Sequence, residues 1–215
     1  MPGPLAGILL VVASYLLGAI PWGFLAGKAA GGIDLRAIGS GGTGATNVLR
    51  TLGPRVSALV LVLDVLKGAV PVLIARSLDF TPGWVGAAAV AAVAGHCWSP
   101  FIGFKGGKGV ATGAGAAVAL FPPVLVVLPV MGAIVWATRY VSLGSLVASG
   151  LTALLAVGSA LTGRLEPAVA IAMLAMAAII WVRHEGNIRR LLSGTERRIG
   201  ERVAVASQPQ QPHIS

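Results

Sequence analysis

Charged residues are scarce in this chain. They make up 11% of its 215 residues, and only seven are acidic. A soluble domain carries about 25% charged residues, so this set is too thin to cover a water-facing surface. A hydrophobic content of 56% and a mean hydropathy of +0.87 equally exclude a disordered chain. With one cysteine, Cys97, there is no internal disulfide and no cysteine-based zinc or iron–sulfur centre. His96, His184 and His213 are scattered, and Asp34, Asp64 and Asp79 lack ligand spacing, so neither a metal nor another cofactor is expected. No polar stretch is long enough to fold as a second domain. No base precedes the first apolar run either: the first is Lys28. A signal peptide would begin with positive charge, so this order predicts a retained first span with its N-terminus outside.

What is abundant is apolar sequence in long runs. A bilayer core needs roughly 20 helical residues to cross it. Seven runs qualify as candidates: about Leu5–Ala26, Val56–Ala75, Gly83–Ile102, Gly109–Phe121, Val124–Thr138, Leu143–Leu161 and Pro167–Val182. The fourth and fifth are short and are split by Pro122-Pro123, which breaks a helix ladder. They read as two tilted spans or as a partly re-entrant pair, and two spans is the preferred reading. The expected fold is therefore an all-α polytopic membrane protein with seven transmembrane helices. Residues 1–202 form one domain, and the Gln-, Pro- and Ser-rich stretch 203–215 reads as a disordered tail.

Sixteen bases give the chain a net charge of +9. Alternating the spans places thirteen of them on one side: Lys28, Arg36, Arg50, Arg55, Lys105, Lys108, Arg139 and six from Arg183 to Arg202. Arg76 and Arg164 fall on the other side, and Lys67 lies within a span. This asymmetry predicts an outside N-terminus and a cytoplasmic C-terminus. Interleaving of the bases with apolar runs speaks against a nucleic-acid partner.

Several of these bases sit among glycine and small polar residues. The first cytoplasmic loop reads Gly39-Ser40-Gly41-Gly42-Thr43-Gly44-Ala45-Thr46-Asn47, with Arg50 just beyond. Glycines let backbone N–H groups converge on an anion, and a helix starting near Ala45 adds its positive end. Gly39, Gly41 and Gly44 match G-x-G-x-x-G, but no βαβ unit surrounds them, so a dinucleotide fold is rejected. The plain alternative is a flexible linker, which seldom combines Ser, Thr, Asn and Arg so densely. The next cytoplasmic loop reads Phe104-Lys105-Gly106-Gly107-Lys108-Gly109. It is not a P-loop, because Gly109 follows the lysine, yet two lysines on glycine-hinged backbone suit phosphate. Arg183-His184-Glu185-Gly186-Asn187 closes the last span, with His184 and Asn187 on one helix face. Ser142 and Ser145 lie beside Arg139 at the same depth. Asp64 and Lys67 share a face inside a span, where ionisable groups are functional candidates by default. A direct substrate role and a mutual ion pair holding helices together both remain open for them.

At these segments the chain resembles the bacterial membrane acyl-phosphate:glycerol-3-phosphate acyltransferases, the PlsY family. The matching residues are Gly39-Ser40-Gly41, Gly44-Ala45-Thr46-Asn47-Val48, Arg50 and Gly53; then Gly95-His96, Phe101 and Phe104 to Gly109; then His184, Asn187-Ile188, Leu191 and Gly194-Thr195-Glu196. The likeness runs from Tyr15 to about Ile199. Two departures stand out: Gly42 where the family usually has Asn, and Ser99 where it usually has Pro. The resemblance implies transfer of a fatty acyl chain from acyl-phosphate to the 1-hydroxyl of glycerol 3-phosphate, giving lysophosphatidic acid and phosphate. It further implies membrane lipid as the surroundings, a functional monomer, and a site on the cytoplasmic face of the bacterial inner membrane. Ser40, Arg50, Lys108, His184 and Asn187 are assigned to catalysis. Gly39, Gly41, Gly42, Thr43, Gly44, Thr46, Asn47, His96, Lys105, Gly106, Gly107, Ser142 and Ser145 are assigned to substrate binding. A transporter of an anionic metabolite is the main rival reading, but the halves show no repeat and the polar residues gather at one face rather than at the midplane. A lipid-binding scaffold leaves the glycine loops unexplained.

Overall fold

The computed structural model describes residues 2–201, and every regular element among them is a helix. The tail assigned above to 203–215 lies outside the described residues. Ten α-helices follow in order: α1 Pro4–Gly18, α2 Trp22–Ala29, α3 Ala45–Leu52, α4 Pro54–Ser77, α5 Pro82–Cys97, α6 Val110–Leu120, α7 Val127–Thr138, α8 Val141–Leu161, α9 Pro167–Arg183 and α10 Glu185–Leu192. Proline opens α1, α4, α5 and α9. Its missing N–H is unneeded in a first turn and its fixed φ is already helical. Inside α4, Pro71 is carried without a break.

The first apolar run is not one straight span. It splits at Ala19-Ile20-Pro21, where Pro21 cannot donate to the ladder, and α2 starts afresh. Between α6 and α7 the chain passes through a 3₁₀ turn, Pro122–Val126, at the double proline. Helix α6 has 11 residues, about 16 Å at 1.5 Å per residue, well short of a bilayer core. By length and apolarity four segments qualify as spans (Pro4–Ala29, Pro54–Ser77, Pro82–Ile102 and Val141–Leu161), and α9 joined to α10 across a 59° bend makes a fifth.

The turns nevertheless sort by end. Those joining α4 to α5, α6 to α7 and α8 to α9 meet around one cleft of about 550 Å³, lined by Asp79, Leu120, Phe121 and Glu166. Arg76 and Arg164, the two bases separated from the rest by the charge count, line the same cleft. Arg76 is tied to the carbonyls of Ala119 and Leu120.

Helix α5 forms the centre of the bundle, with Ala88, Ala89, Ala92 and Val93 fully buried. Without a hydrophobic drive between helices in lipid, packing depends on small residues that let backbones approach. A Cβ on Gly68 of α4 would strike the Thr112 carbonyl of α6, and one on Gly115 of α6 would strike that of Val65 in α4. Gly18 of α1 and Gly95 of α5 lock that pair of helices in the same way, against Ala92 and Tyr15. Gly115→Ala is therefore expected to destabilise the bundle by about 1–3 kcal/mol through overpacking. Gly132→Ala, with nothing within 4 Å of the added methyl, is expected to leave stability unchanged. Thermal unfolding in detergent checks both.

Candidate functional site

The first glycine loop is wrapped around one side chain. The Asn47 amide donates to the carbonyls of Leu35 (3.0 Å), Ile38 (3.0 Å) and Gly42 (2.8 Å), and its Oδ1 accepts the Ser40 N–H at 3.1 Å. Gly39 and Gly41 take positive φ angles of 64° and 70° to close this turn, a conformation glycine adopts freely. Asn47 thus has its hydrogen bonds satisfied internally and is 2% exposed, so it shapes the loop rather than meeting substrate as expected. Thr43 is likewise buried, against Gly23 of α2. Ser40 is left half-buried, and its hydroxyl has no hydrogen bond among the described residues. Asp34 and Arg36 pair at 2.7 Å, and Arg36 reaches across to the Ile102 carbonyl at 3.1 Å, joining the first loop to the second.

The second loop lies over the end of α5. The N–H groups of Gly106 and Gly107 donate to the carbonyls of Cys97 (3.2 Å) and His96 (3.0 Å). They are not free for phosphate, which revises their expected binding role. From α9, Arg183 donates to the Gly107 and Gly106 carbonyls at 3.1 and 3.2 Å and stacks over the Trp98 ring. Lys105 projects into the exposed zone. Lys108 is mostly buried beyond the loop, and among the described residues its ammonium has no ion-pair partner. Burial pulls its pKa down to about 8; the Glu196 carboxylate opposes this, while Arg190, Arg50 and Arg183 add to it.

The 59° bend after α9 brings the third segment in. At the bend, His184 is buried and its Nδ1 faces the Ile180 carbonyl at 2.7 Å. A carbonyl only accepts, so Nδ1 carries the proton and Nε2 is the free acceptor. The organising residue here is Glu196. Its Oε1 accepts from Asn187 Nδ2 (2.6 Å) and Ser142 Oγ (2.9 Å), and its Oε2 from Arg190 Nε (2.8 Å). Burial raises the Glu196 pKa, but these hydrogen bonds outweigh it and hold the carboxylate below its usual value. Sequence reasoning gave Glu196 no role. Its one signal is the motif ending Gly194-Thr195-Glu196, which shows no partner until α8 and α10 are folded together.

Arg50 closes the group. Its Nη2 donates to the carbonyls of Arg197 (3.3 Å) and Arg198 (3.5 Å), while its buried Nε has no partner. Burial lowers its pKa, with Arg197 adding to the effect. Arg50, Lys108 and Arg190 are thus gathered around one carboxylate, with Arg183 near Lys108, an arrangement suited to further anions. Beside it an apolar cleft runs between α6, α7, α8 and α9, lined by Val110, Gly113, Leu128, Met176 and Ile180. Ser145 lines this cleft and spends its hydroxyl on the Val141 carbonyl of its own helix. Thr46 and Gly44 stand at the start of α3. His96 is not in the open site: it lies beneath Gly107.

The family model described as glycerol-3-phosphate acyltransferase matches residues 8–194. A glycerol-3-phosphate acyltransferase of Rubrobacter xylanophilus is 45% identical over 196 residues, covering 91% of this chain and 96% of the relative. One of Geobacter sulfurreducens is 46% identical over 192 residues, covering 89% and 96%. Among solved structures, the glycerol 3-phosphate form of PlsY (YgiH), an integral membrane glycerol 3-phosphate acyltransferase, superposes with a TM-score of 0.84 at 41% identity, covering 91% of this chain and 96% of that one. Its lysophosphatidic acid form gives 0.81 at 40% identity over the same shares.

Because Lys108 carries charge below about pH 8 and loses it above, anion binding at this site should weaken as pH rises through that value. Sulfate, whose own charge is constant there, is the suitable probe by calorimetry. Lys108→Met is expected to weaken sulfate binding and to flatten its pH dependence.

Proposed function

The chain belongs to the glycerol-3-phosphate acyltransferase family, and we propose that it takes its acyl group from acyl-phosphate and delivers it to the 1-hydroxyl of glycerol 3-phosphate. It is an integral membrane acyltransferase of phospholipid synthesis. The observation that carries the choice of donor is the set of cations around Lys108 and Arg50 at the edge of an apolar cleft. A carboxylate saturated by three hydrogen bonds, as Glu196 is, is poorly placed to take a proton. An activated donor removes the need for a general base.

In this reading the glycerol hydroxyl oxygen attacks the acyl carbonyl carbon, the carbon–oxygen bond to phosphate breaks, and the departing phosphate keeps the electron pair and takes the hydroxyl proton. The protein holds two anions together and stabilises charge on the carbonyl oxygen and leaving group. Arg50 and Lys108 clamp phosphate, Ser40 and His184 Nε2 orient the acceptor, and Glu196 fixes Asn187 and Ser142. The cleft lined by Val110 and Ile180, about 70 Å³ in volume, takes only the first carbons of the acyl chain, and the rest lies in lipid.

The topology that goes with this function has seven crossings, the N-terminus outside and the C-terminus cytoplasmic, in the bacterial inner membrane, with the site on the cytoplasmic side of a monomer. The bias of thirteen bases against two supports the orientation. Convergence of the three opposite turns on one cleft supports α6 and α7 running from end to end despite their length, with the bilayer thinned or water admitted around them.

Purified protein incubated with palmitoyl-phosphate and glycerol 3-phosphate is expected to release phosphate only when both are present, and palmitoyl-CoA is expected not to replace the donor. Arg50→Ala and Lys108→Ala are each expected to lower turnover at least roughly a hundredfold, the scale for losing a preorganised electrostatic contact, with the folded yield kept. Near-normal turnover in either variant removes that residue from the site.

A further inference from the structure

We propose that Asp64, Lys67 and His96 are positioning residues for the transfer reaction, an ionic cluster inside the bundle that sets the loop presenting Lys108. The proposal rests on the acyltransferase reading and extends it to residues outside the anion site.

A direct substrate role is closed to the three, which are 1%, 4% and 6% exposed. Lys67 Nζ lies 2.8 Å from Asp64 Oδ1 and donates to the Ile20 carbonyl at 2.8 Å. That carbonyl belongs to the break between α1 and α2, where it also takes the Trp22 N–H at 3.1 Å. Asp64 Oδ1 also faces His96 Nδ1 at 3.6 Å, beyond hydrogen-bond length but close enough for a favourable electrostatic contact. Three stretches of chain remote in sequence therefore meet on this cluster: the break before α2, one face of α4, and the end of α5.

Holding helices together would need only the lysine, its carboxylate and the Ile20 carbonyl. His96 adds a connection to the site. The opposite edge of its ring, Nε2, lies directly under Gly107, so close that a Cβ there would overlap it. The His96 and Cys97 carbonyls take the N–H groups of Gly107 and Gly106, so ring and backbone of one residue both set the height of the loop. Above, Arg183 fixes the two carbonyls of the same glycines. The residue preceding Lys108 is thus gripped from both sides, and the lower grip is only as fixed as the imidazole that Asp64 orients. Lys108 has no ion-pair partner among the described residues to correct its place, so its position follows from that of Gly107.

A decisive variant removes the pair together. Taking away one member strands an ion in hydrocarbon and threatens folding, whereas exchanging both for neutral groups of similar shape avoids that cost. Asp64→Asn/Lys67→Met is expected to unfold within about 5 °C of the parent, a small shift for a domain of this size. Its kcat at saturating concentrations of both substrates, per folded protein, is expected to fall by roughly tenfold to a hundredfold, the scale of a misplaced catalytic group. A fall of less than roughly tenfold overturns the proposal, because a purely structural pair leaves the kcat of the folded enzyme unchanged. Should the double variant not fold, a second pair decides. Gly107→Ala pushes a methyl into His96, and adding His96→Ala makes room for it. Higher kcat in the double variant than in Gly107→Ala alone supports the proposal, and equal or lower kcat overturns it. The parent protein assayed alongside keeps the two readings apart: no phosphate release from the parent counts against the acyltransferase assignment, not against the cluster.

Discussion

Lys67 lies in the apolar stretch of α4 with Asp64 one turn away, and their contact shows what governs the rest of the molecule. A charge in hydrocarbon has to be paired, hydrogen-bonded or moved to an end. Among the described residues this chain pairs one lysine in its interior and keeps its other bases toward the ends. From that constraint follow the asymmetry of the loops, the gathering of Arg50, Lys108, Arg183 and Arg190 at one end, and the isolation of Arg76 and Arg164 at the other. Even the break in the first span fits, since the Ile20 carbonyl there accepts from Lys67 as well as from the Trp22 N–H.

The same scarcity of water explains the polar work at the site. Lys108 keeps a lowered pKa because burial is not compensated by a partner. Glu196 remains ionised because three donors compensate it fully. One group is left wanting an anion while the other is satisfied, and this difference makes the cluster receptive to phosphate although a carboxylate lies at its centre. A chemistry with an activated donor suits such a place, because it asks for stabilised negative charge more than for proton transfer.

Much of this was readable from composition and spacing. Apolar runs located the helices to within a few residues, since hydrophobic length and proline are local signals, and the glycine-, serine- and lysine-bearing loops marked the site. What sequence could not supply were contacts between distant residues. Asn47 looked like a ligand because its amide has donors to offer; only the folded loop shows all of them used on Leu35, Ile38 and Gly42. Gly106 and Gly107 looked like a phosphate cradle, but their N–H groups return to α5. Two readings were open for Asp64 and Lys67, and their burial selects the ion pair. For α6 and α7 the apolar runs gave the segments correctly, but not how so short a helix relates to the bilayer.

The strap that closes the site comes from late in the chain. Ile199 and Arg139 exchange hydrogen bonds in both directions, at 2.8 Å each, and just before it the Arg197 and Arg198 carbonyls take Arg50. Residues 40 to 50 are therefore completed by residues 196 to 199. During synthesis the glycine loop and Lys108 are in place long before the carboxylate that organises them has been translated. A chain made only as far as Arg190 accordingly holds the glycine loop and its cations but lacks Glu196 and the carbonyls that take Arg50.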